Sequence, residues 1–107
     1  MINTKVQPIL AELRQRLKAL YGPRLVKMIL YGSQARGDAE PGSDIDVLVV
    51  LCGNVAPADE INRTSKVIAD LSLQNDTVVS CAFMDEVRFT TRNGPFLRNI
   101  RREGVTI

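Results

Sequence analysis

Residues 31–51 read YGSQARGDAEPGSDIDVLVVL, and two aspartates in this stretch, Asp44 and Asp46, open the most hydrophobic run of the chain. Aspartate is a poor strand former, and a buried carboxylate without a partner is energetically costly. A pair of them at the mouth of a core segment therefore needs a reason, either in the architecture or in the chemistry of the protein.

An apolar strand is predicted on each side of this stretch. Leu25–Tyr31 (LVKMILY) is rich in aliphatic residues and too short for a separate helix. Asp44–Leu51 (DIDVLVVL) first alternates and then becomes wholly apolar, which predicts a strand that enters the core from an exposed end. Between them, Gly32 is followed by SQARG at 33–37, which predicts a compact turn or a single helical turn, and Pro41-Gly42 signals another turn.

The flanking sequence predicts helices and a third strand. An amphipathic helix is expected over residues 4–20, ending at Tyr21-Gly22-Pro23, with an apolar stripe of Val6, Leu10, Leu13, Leu17 and Leu20. A second helix is expected after the Gly53–Pro57 loop and through about residue 74, with a stripe of Ile61, Thr64, Ile68 and Leu71. After a turn at Asn75-Asp76, Thr77–Met84 (TVVSCAFM) is predicted as a strand.

The remaining residues predict two short helices. Asp85 is expected to cap a helix over Glu86–Arg92, Asn93-Gly94 to break it, and Pro95 and Gly104 to bound the last helix. The predicted order is α-β-(short α)-β-α-β-α. It indicates a single α/β or α+β domain over residues 1–107, with one sheet of three to four strands covered by helices.

Composition restricts the function classes. The 107 residues carry a formal charge of only +2, so any attraction to nucleic acid must be local. There is no histidine, which excludes imidazole metal ligands and histidine acid–base catalysis. No apolar run approaches the ~20 residues of a membrane span, and the start lacks a signal-peptide pattern. Cys52 and Cys81 lie in or beside apolar runs and are interpreted as reduced, buried thiols, which favours a cytoplasmic protein.

The two aspartates form a candidate metal site. If residues 44–50 are a strand, the side chains of Asp44 and Asp46 share a face, with α-carbons about 6.5–7 Å apart. Two carboxylates this close stay ionised at neutral pH only beside a positive charge, and oxygen-only ligation suits Mg²⁺. The alternative is a solvated strand end without a ligand.

The turn before the aspartates is a candidate phosphate site. Gly32 follows a strand directly and lets a ligand approach the backbone, while Ser33 offers a hydroxyl and an amide. Arg36 adds a fork-shaped cation that suits phosphate. The alternative for Arg36 is a solvated turn residue paired with Asp38 or Glu40. Phosphoryl or nucleotidyl transfer requires this combination of parts.

The segment GSQARGDAEPGSDIDVLVV closely resembles the signature of the DNA polymerase beta-like nucleotidyltransferase superfamily, in which Gly-Ser precedes Asp-x-Asp. Its spacing and the short chain are most similar to the minimal nucleotidyltransferase (MNT) group. The resemblance implies that Gly32 and Ser33 bind the β- and γ-phosphates of ATP or another NTP, and that Arg36 contacts the triphosphate. It implies that Asp44 and Asp46 are catalytic and hold two Mg²⁺ ions during attack by a hydroxyl of a partner macromolecule.

One part of the superfamily pattern is missing. Active members carry a third carboxylate on the next core strand, but TVVSCAFM contains no acid. Ser80 or Ala82 stands at the expected place. Asp76 is interpreted as a turn residue, since it would lie about 13 Å from Ser80 along a strand. This gap leaves open a catalytically weak nucleotide-binding module that acts by docking.

Partners are implied by the same resemblance. MNT proteins are commonly encoded beside a HEPN-domain protein and act as the antitoxin of the pair, so a HEPN-domain partner is expected; a homo-oligomer is left open. A third interpretation is RNA binding by a basic rim, whose alternative is a solvated face with Phe96, Leu97 and Ile100 packed inward. The residues of this rim are Arg88, Arg92, Arg98, Arg101 and Arg102.

Overall fold

The computed structural model describes residues 3–40 and 42–107, so the predicted turn at Pro41-Gly42 lies partly outside the described residues. The observed elements include every predicted helix and strand, with two helices after the third strand where the predicted order has one, and a two-residue strand added at the end. In chain order, the elements are α1 (Gln7–Tyr21), β1 (Leu25–Tyr31), α2 (Ser33–Arg36), β2 (Ile45–Leu51), α3 (Pro57–Gln74), β3 (Val79–Asp85), α4 (Glu86–Thr91), α5 (Pro95–Glu103) and β4 (Val105–Thr106). A single 3₁₀ turn (Gly22–Arg24) connects α1 to β1.

The strands form one mixed sheet in the order β3-β2-β1-β4. Strand β1 is antiparallel to both β2 and β4, whereas β2 and β3 are parallel. A parallel pair needs a long crossover connection, which α3 supplies. Because β1 ends where β2 begins, Tyr31 lies opposite Asp46 in the register. The predicted fold class, a small mixed α/β domain, is confirmed, and the sheet has four strands.

Helices α1 and α3 cover one face of the sheet. The core on this side is built from leucines of α1 and alternate residues of the strands, among them Leu13, Leu17, Leu30, Val47 and Val49. Every residue of β2 except Asp46 is buried, which explains the apolar run that follows the aspartates. The chain therefore places the second aspartate on a strand whose other residues are all buried.

Two predicted core positions of these helices are wrong. Leu20 is 43% exposed and Ile61 is 54% exposed. On α1, Tyr21, four residues after Leu17, is buried in place of Leu20. On α3, Glu60 is buried in place of Ile61. Glu60 tolerates burial because its carboxylate accepts a hydrogen bond from the Tyr21 hydroxyl at 2.8 Å. A hydrophobic stripe read from sequence cannot anticipate a buried polar pair.

The opposite face of the sheet is covered by α4 and α5. Here Ile29, Leu48 and Val50 pack against Leu97 and Ile100 of α5. Phe96, which was expected to pack inward with them, is instead 43% exposed. Asp46 continues the row of Leu48 and Val50 toward the start of β2, because strand side chains alternate with period two. The face that carries Asp46 is thus the face on which α5 lies.

Several boundaries differ from the predicted ones. β3 runs from Val79 to Asp85 rather than over 77–84, and β4 has only two residues, too few for a periodic signal. Asp85 caps α4 as expected, since its Oδ1 accepts a hydrogen bond from the Arg88 backbone N–H at 2.8 Å.

The two cysteines are free thiols, and both are partly rather than fully buried. Cys52 directly follows β2, whereas Cys81 lies within β3 and pairs with Val47. Across residues 3–40 and 42–107, no helix combines the length and apolarity that crossing a membrane requires.

Candidate active site

The turn after β1 depends on glycine. Gly32 adopts φ +76° and ψ −159°, a combination that is essentially restricted to glycine. Its carbonyl accepts hydrogen bonds from the backbone N–H groups of Ala35 and Arg36, both at 3.1 Å, which closes α2 immediately after the strand. The expected single helical turn over SQARG is therefore present, and its shape rests on the backbone freedom of Gly32.

This turn touches the second aspartate. A Cβ atom added to Gly32 would lie 2.7 Å from Oδ2 of Asp46, closer than non-bonded contacts allow. The turn backbone and the carboxylate are thus immediate neighbours, as the antiparallel pairing of Tyr31 with Asp46 requires. A side chain at position 32 would both strain the backbone and displace the carboxylate.

The two aspartates influence each other. Asp44 is exposed and precedes β2, whereas Asp46 lies within β2 and is half-buried. Burial, and secondly the charge of Asp44, raise the pKa of Asp46 above its ordinary value. Both effects disfavour the ionised pair, and a cation between the carboxylates would remove the repulsion.

The donor set fits a magnesium ion. Among the described residues, no cluster of three or more acidic or cysteine side chains is suited to hold a metal, so the protein offers the pair Asp44 and Asp46. Mg²⁺ characteristically uses one or two carboxylates, keeps several waters and takes the remaining ligands from substrate phosphates. A two-carboxylate site beside a glycine turn matches that requirement.

The two positions at which a third carboxylate was expected both lie on β3. In the parallel register, Ser80 pairs with Asp46 and Ala82 pairs with Leu48, so Ser80 is the nearer of the two predicted positions. Asp76 lies in the turn before β3 with a left-handed φ of +48°, as expected for a turn residue. Asp85 is the last residue of β3. It pairs with Leu51, at the opposite end of β2 from Asp46, and it caps α4.

Arg36 is held by two carboxylates. Its Nε lies 3.2 Å from Asp38 and its Nη1 lies 3.0 Å from Glu103 at the end of α5. The ion pair with Asp38 was one of the expected alternatives, whereas Glu103 was not anticipated. The hydrogen bonds to Glu103 and then Asp38 raise the pKa of Arg36, and the same contact lowers the pKa of Glu103. As a ligand of the triphosphate, Arg36 stays a prediction.

Two further residues shape the site and were missed in the sequence. Gln34 is buried, and its Nε2 donates to the carbonyl of Ser43 at 3.3 Å, which ties α2 to the residue before Asp44. Tyr31 is half-buried, and burial followed by the charge of Asp46 raises the pKa of its hydroxyl. A polar residue in a four-residue helix gives no periodic signal, so only the folded chain identifies Gln34.

The basic rim is largely occupied by internal contacts. Arg101 donates to the carbonyls of Phe89 at 2.7 Å and Arg92 at 2.8 Å, and Arg102 donates to Asn99 at 2.8 Å. Arg88 pairs with the capping carboxylate at the end of β3. The Arg101 contacts fasten α5 to α4, and the whole set agrees with the solvated-face interpretation. RNA binding by the rim stays a prediction.

Comparison with known proteins identifies the family of the chain. Residues 10–105 match the family model described as the nucleotidyltransferase domain. The chain is 36% identical over 89 residues, 82% of its own length and 83% of the relative's, to a Methanocaldococcus jannaschii protein named "Putative protein adenylyltransferase". The chain therefore belongs to the nucleotidyltransferase domain family and is a nucleotidyltransferase by homology, which confirms the resemblance expected from its motif.

Solved structures share the fold. A toxin–antitoxin complex with AMP-PNP superposes with a TM-score of 0.59 at 18% identity, covering 88% of this chain and 68% of the other. An MNT antitoxin in complex with a tri-AMPylated HEPN toxin of Shewanella oneidensis superposes with a TM-score of 0.51 at 16% identity, covering 92% and 70%. At these identities the similarity establishes the fold alone.

Proposed function

We propose that residues 1–107 form one nucleotidyltransferase domain that binds Mg-ATP or another Mg-NTP and transfers its nucleotidyl group to a hydroxyl of a partner protein. The partner would be a HEPN-domain toxin for which this chain is the antitoxin, as the two structural relatives are toxin–antitoxin complexes. The observation that carries the proposal is the contact between Gly32 and the Asp46 carboxylate. A cytoplasmic location stays a prediction.

The turn after β1 would receive the phosphates. Gly32 brings the backbone of the turn against the Asp46 carboxylate, Ser33 would offer its hydroxyl and amide to phosphate oxygens, and Arg36 would offset their negative charge. Asp44 and Asp46 would hold Mg²⁺, which when bound neutralises charge on the triphosphate and the attacking oxygen. Pyrophosphate would leave as the oxygen of the acceptor hydroxyl bonds to the α-phosphorus.

The acceptor hydroxyl must also lose a proton, and β3 has no carboxylate beside Asp46 to accept it. Ser80 stands beside Asp46, and its hydroxyl is a poor base at neutral pH. Loss of a positioned general base costs about 10²- to 10⁴-fold where one is used. This observation favours a second candidate function, in which the chain binds Mg-nucleotide and neutralises its partner by docking, with little or no transfer.

Both candidates are tested by one reaction. The purified chain is incubated with ATP labelled at the α-phosphate, Mg²⁺ and a HEPN-domain protein encoded beside it. Covalent label on the partner supports transfer, and a stable complex that neutralises the partner without label supports docking. Asp46→Asn should abolish labelling, because it removes one metal ligand. Asp59→Asn, which removes an exposed carboxylate from the first turn of α3, should leave labelling unchanged.

If the wild-type chain labels its partner equally well in EDTA, the metal role of the aspartates is wrong. If Asp46→Asn labels as fast as the wild type, the site itself is misplaced.

A further inference from the structure

A cavity of about 190 Å³ lies between the turn after β1 and helix α5. Gly32 of the proposed phosphate site forms part of its lining, so the cavity is continuous with that site. Its other wall belongs to α5. The residues used below are Tyr31, Gly32, Arg36, Phe96, Asn99 and Glu103, all of which line it.

The α5 wall presents an aromatic ring. Phe96 is 43% exposed, although it belongs to a helix whose other apolar residues, Leu97 and Ile100, are almost completely buried. Its ring meets Tyr31 edge to face, with centroids 5.4 Å apart and planes at 89°. Tyr31 in turn lies opposite Asp46 in the sheet. The half-exposed Phe96 ring therefore contacts Tyr31, the residue that pairs with Asp46 in the sheet.

The rest of the cavity supplies a boundary and a polar edge. The ion pair of Arg36 with Glu103, at 3.0 Å, joins the turn to α5 and holds the two walls together. Asn99 lies one helical turn after Phe96 and therefore on the same side of α5. Its Oδ1 accepts from Arg102, a bond that does not use its two amide N–H groups.

We propose that this cavity is the nucleobase subsite of the bound nucleotide, with the base stacked on Phe96. The inference rests on the proposed function, because the phosphates must occupy the adjoining turn. The cavity volume of about 190 Å³ is smaller than the volume typical of sites for whole ligands, about 300–1,000 Å³. A cavity of this size suits one ring system rather than a complete nucleotide. Bases stack on aromatic side chains without strong base preference, since every base has a π-face.

The test separates the base from the phosphates. Calorimetric titrations of the full chain measure the dissociation constants of Mg-ATP and Mg-tripolyphosphate, the latter carrying three phosphates and no base. Phe96→Leu should weaken Mg-ATP binding about 5- to 150-fold, the range for one stacked base, and leave Mg-tripolyphosphate unchanged. Phe96→Trp, which keeps an aromatic ring, should retain Mg-ATP affinity. Phe89→Leu, which removes a ring of α4 that does not line the cavity, should retain it as well.

Three outcomes overturn the inference. Equal weakening of both ligands by Phe96→Leu would mean that the ring supports the turn rather than the base. Unchanged Mg-ATP affinity in Phe96→Leu would place the base elsewhere. In both cases the phosphate site stands. A wild-type chain that binds neither ligand would instead refute the proposed function, and the subsite with it.

Discussion

Replacing Gly32 with alanine tests the centre of the proposed site. The substitution adds one methyl group at a backbone conformation of φ +76° and ψ −159°. The added carbon would lie 2.7 Å from Oδ2 of Asp46, so the carboxylate must rotate or the turn must shift. Two separable effects are expected: a loss of stability from the backbone, and a loss of metal-nucleotide binding from the displaced carboxylate.

The size of each effect follows from the geometry. A non-glycine residue in this backbone region costs about 1–3 kcal/mol, which lowers the Tm of a domain this small by about 4–24 °C. For the wild type, Mg-ATP at 100 times its Kd should add about 2.7 kcal/mol, a rise of about 11–22 °C. In Gly32→Ala the ligand-induced rise should be almost absent, because Asp46 no longer faces the turn.

Thermal melts with and without Mg-ATP measure both effects, and Gly53→Ala is the matched control. Gly53 also has a left-handed φ, +83°, but nothing lies within 4 Å of the place its Cβ would occupy. Gly53→Ala should therefore lose stability and keep the full ligand-induced rise. If Gly32→Ala keeps the wild-type rise at the same Mg-ATP concentration, the turn is not the phosphate site, and the contact with Asp46 is only a packing contact.

Three further substitutions probe the surroundings of the site. Ser80→Asp should create a third carboxylate, which lowers the Tm of the metal-free protein, makes the Tm rise when Mg²⁺ is added and speeds transfer to the partner. Ser80→Asn, which adds no charge, should have none of these effects. Equal behaviour of the two variants would contradict the pairing register of Ser80 with Asp46. Glu103→Gln removes one carboxylate partner of Arg36. Because the contact with Arg36 lowers the pKa of Glu103, the wild type should be more stable than the variant above pH 4.5 and should lose this small advantage as the pH falls below that value. Thermal melts of both proteins from neutral to acidic pH measure this difference. Tyr21→Phe leaves the buried Glu60 without its 2.8 Å hydrogen bond and should cost about 1.5–3 kcal/mol in denaturant unfolding, whereas a cost near zero would mean that the ion pair with Arg63, at 3.4 Å from the same oxygen, satisfies the carboxylate.

The core of the motif could be predicted because its signals are local. A glycine after an apolar run, and an alternating start to a second apolar run, predict strand ends whatever the rest of the chain does. The two strands and the turn between them have the predicted positions, with β2 beginning one residue later, at Ile45. The family resemblance has the same origin, since it rests on about 20 contiguous residues.

The identity of the residue beside Asp46 on β3 required the folded chain. Ser80 and Ala82 share a face of the strand because side chains alternate with period two, so the sequence left both open; only the pairing register along β2 separates them. The parallel register places Ser80 next to Asp46, a consequence of how α3 crosses over and where β3 then begins.

The contacts across the sheet face were also outside the reach of sequence patterns. Arg36 and Glu103 are 67 residues apart, and Phe96 meets Tyr31 across a similar separation. The amphipathic pattern of α5 predicts that the helix is partly buried, yet it cannot determine which strand end the helix covers, because that depends on the packing of Leu97 and Ile100 against Leu48 and Val50. Periodicity records which side of a helix avoids water, whereas the neighbour on that side is set by the packing of the whole sheet.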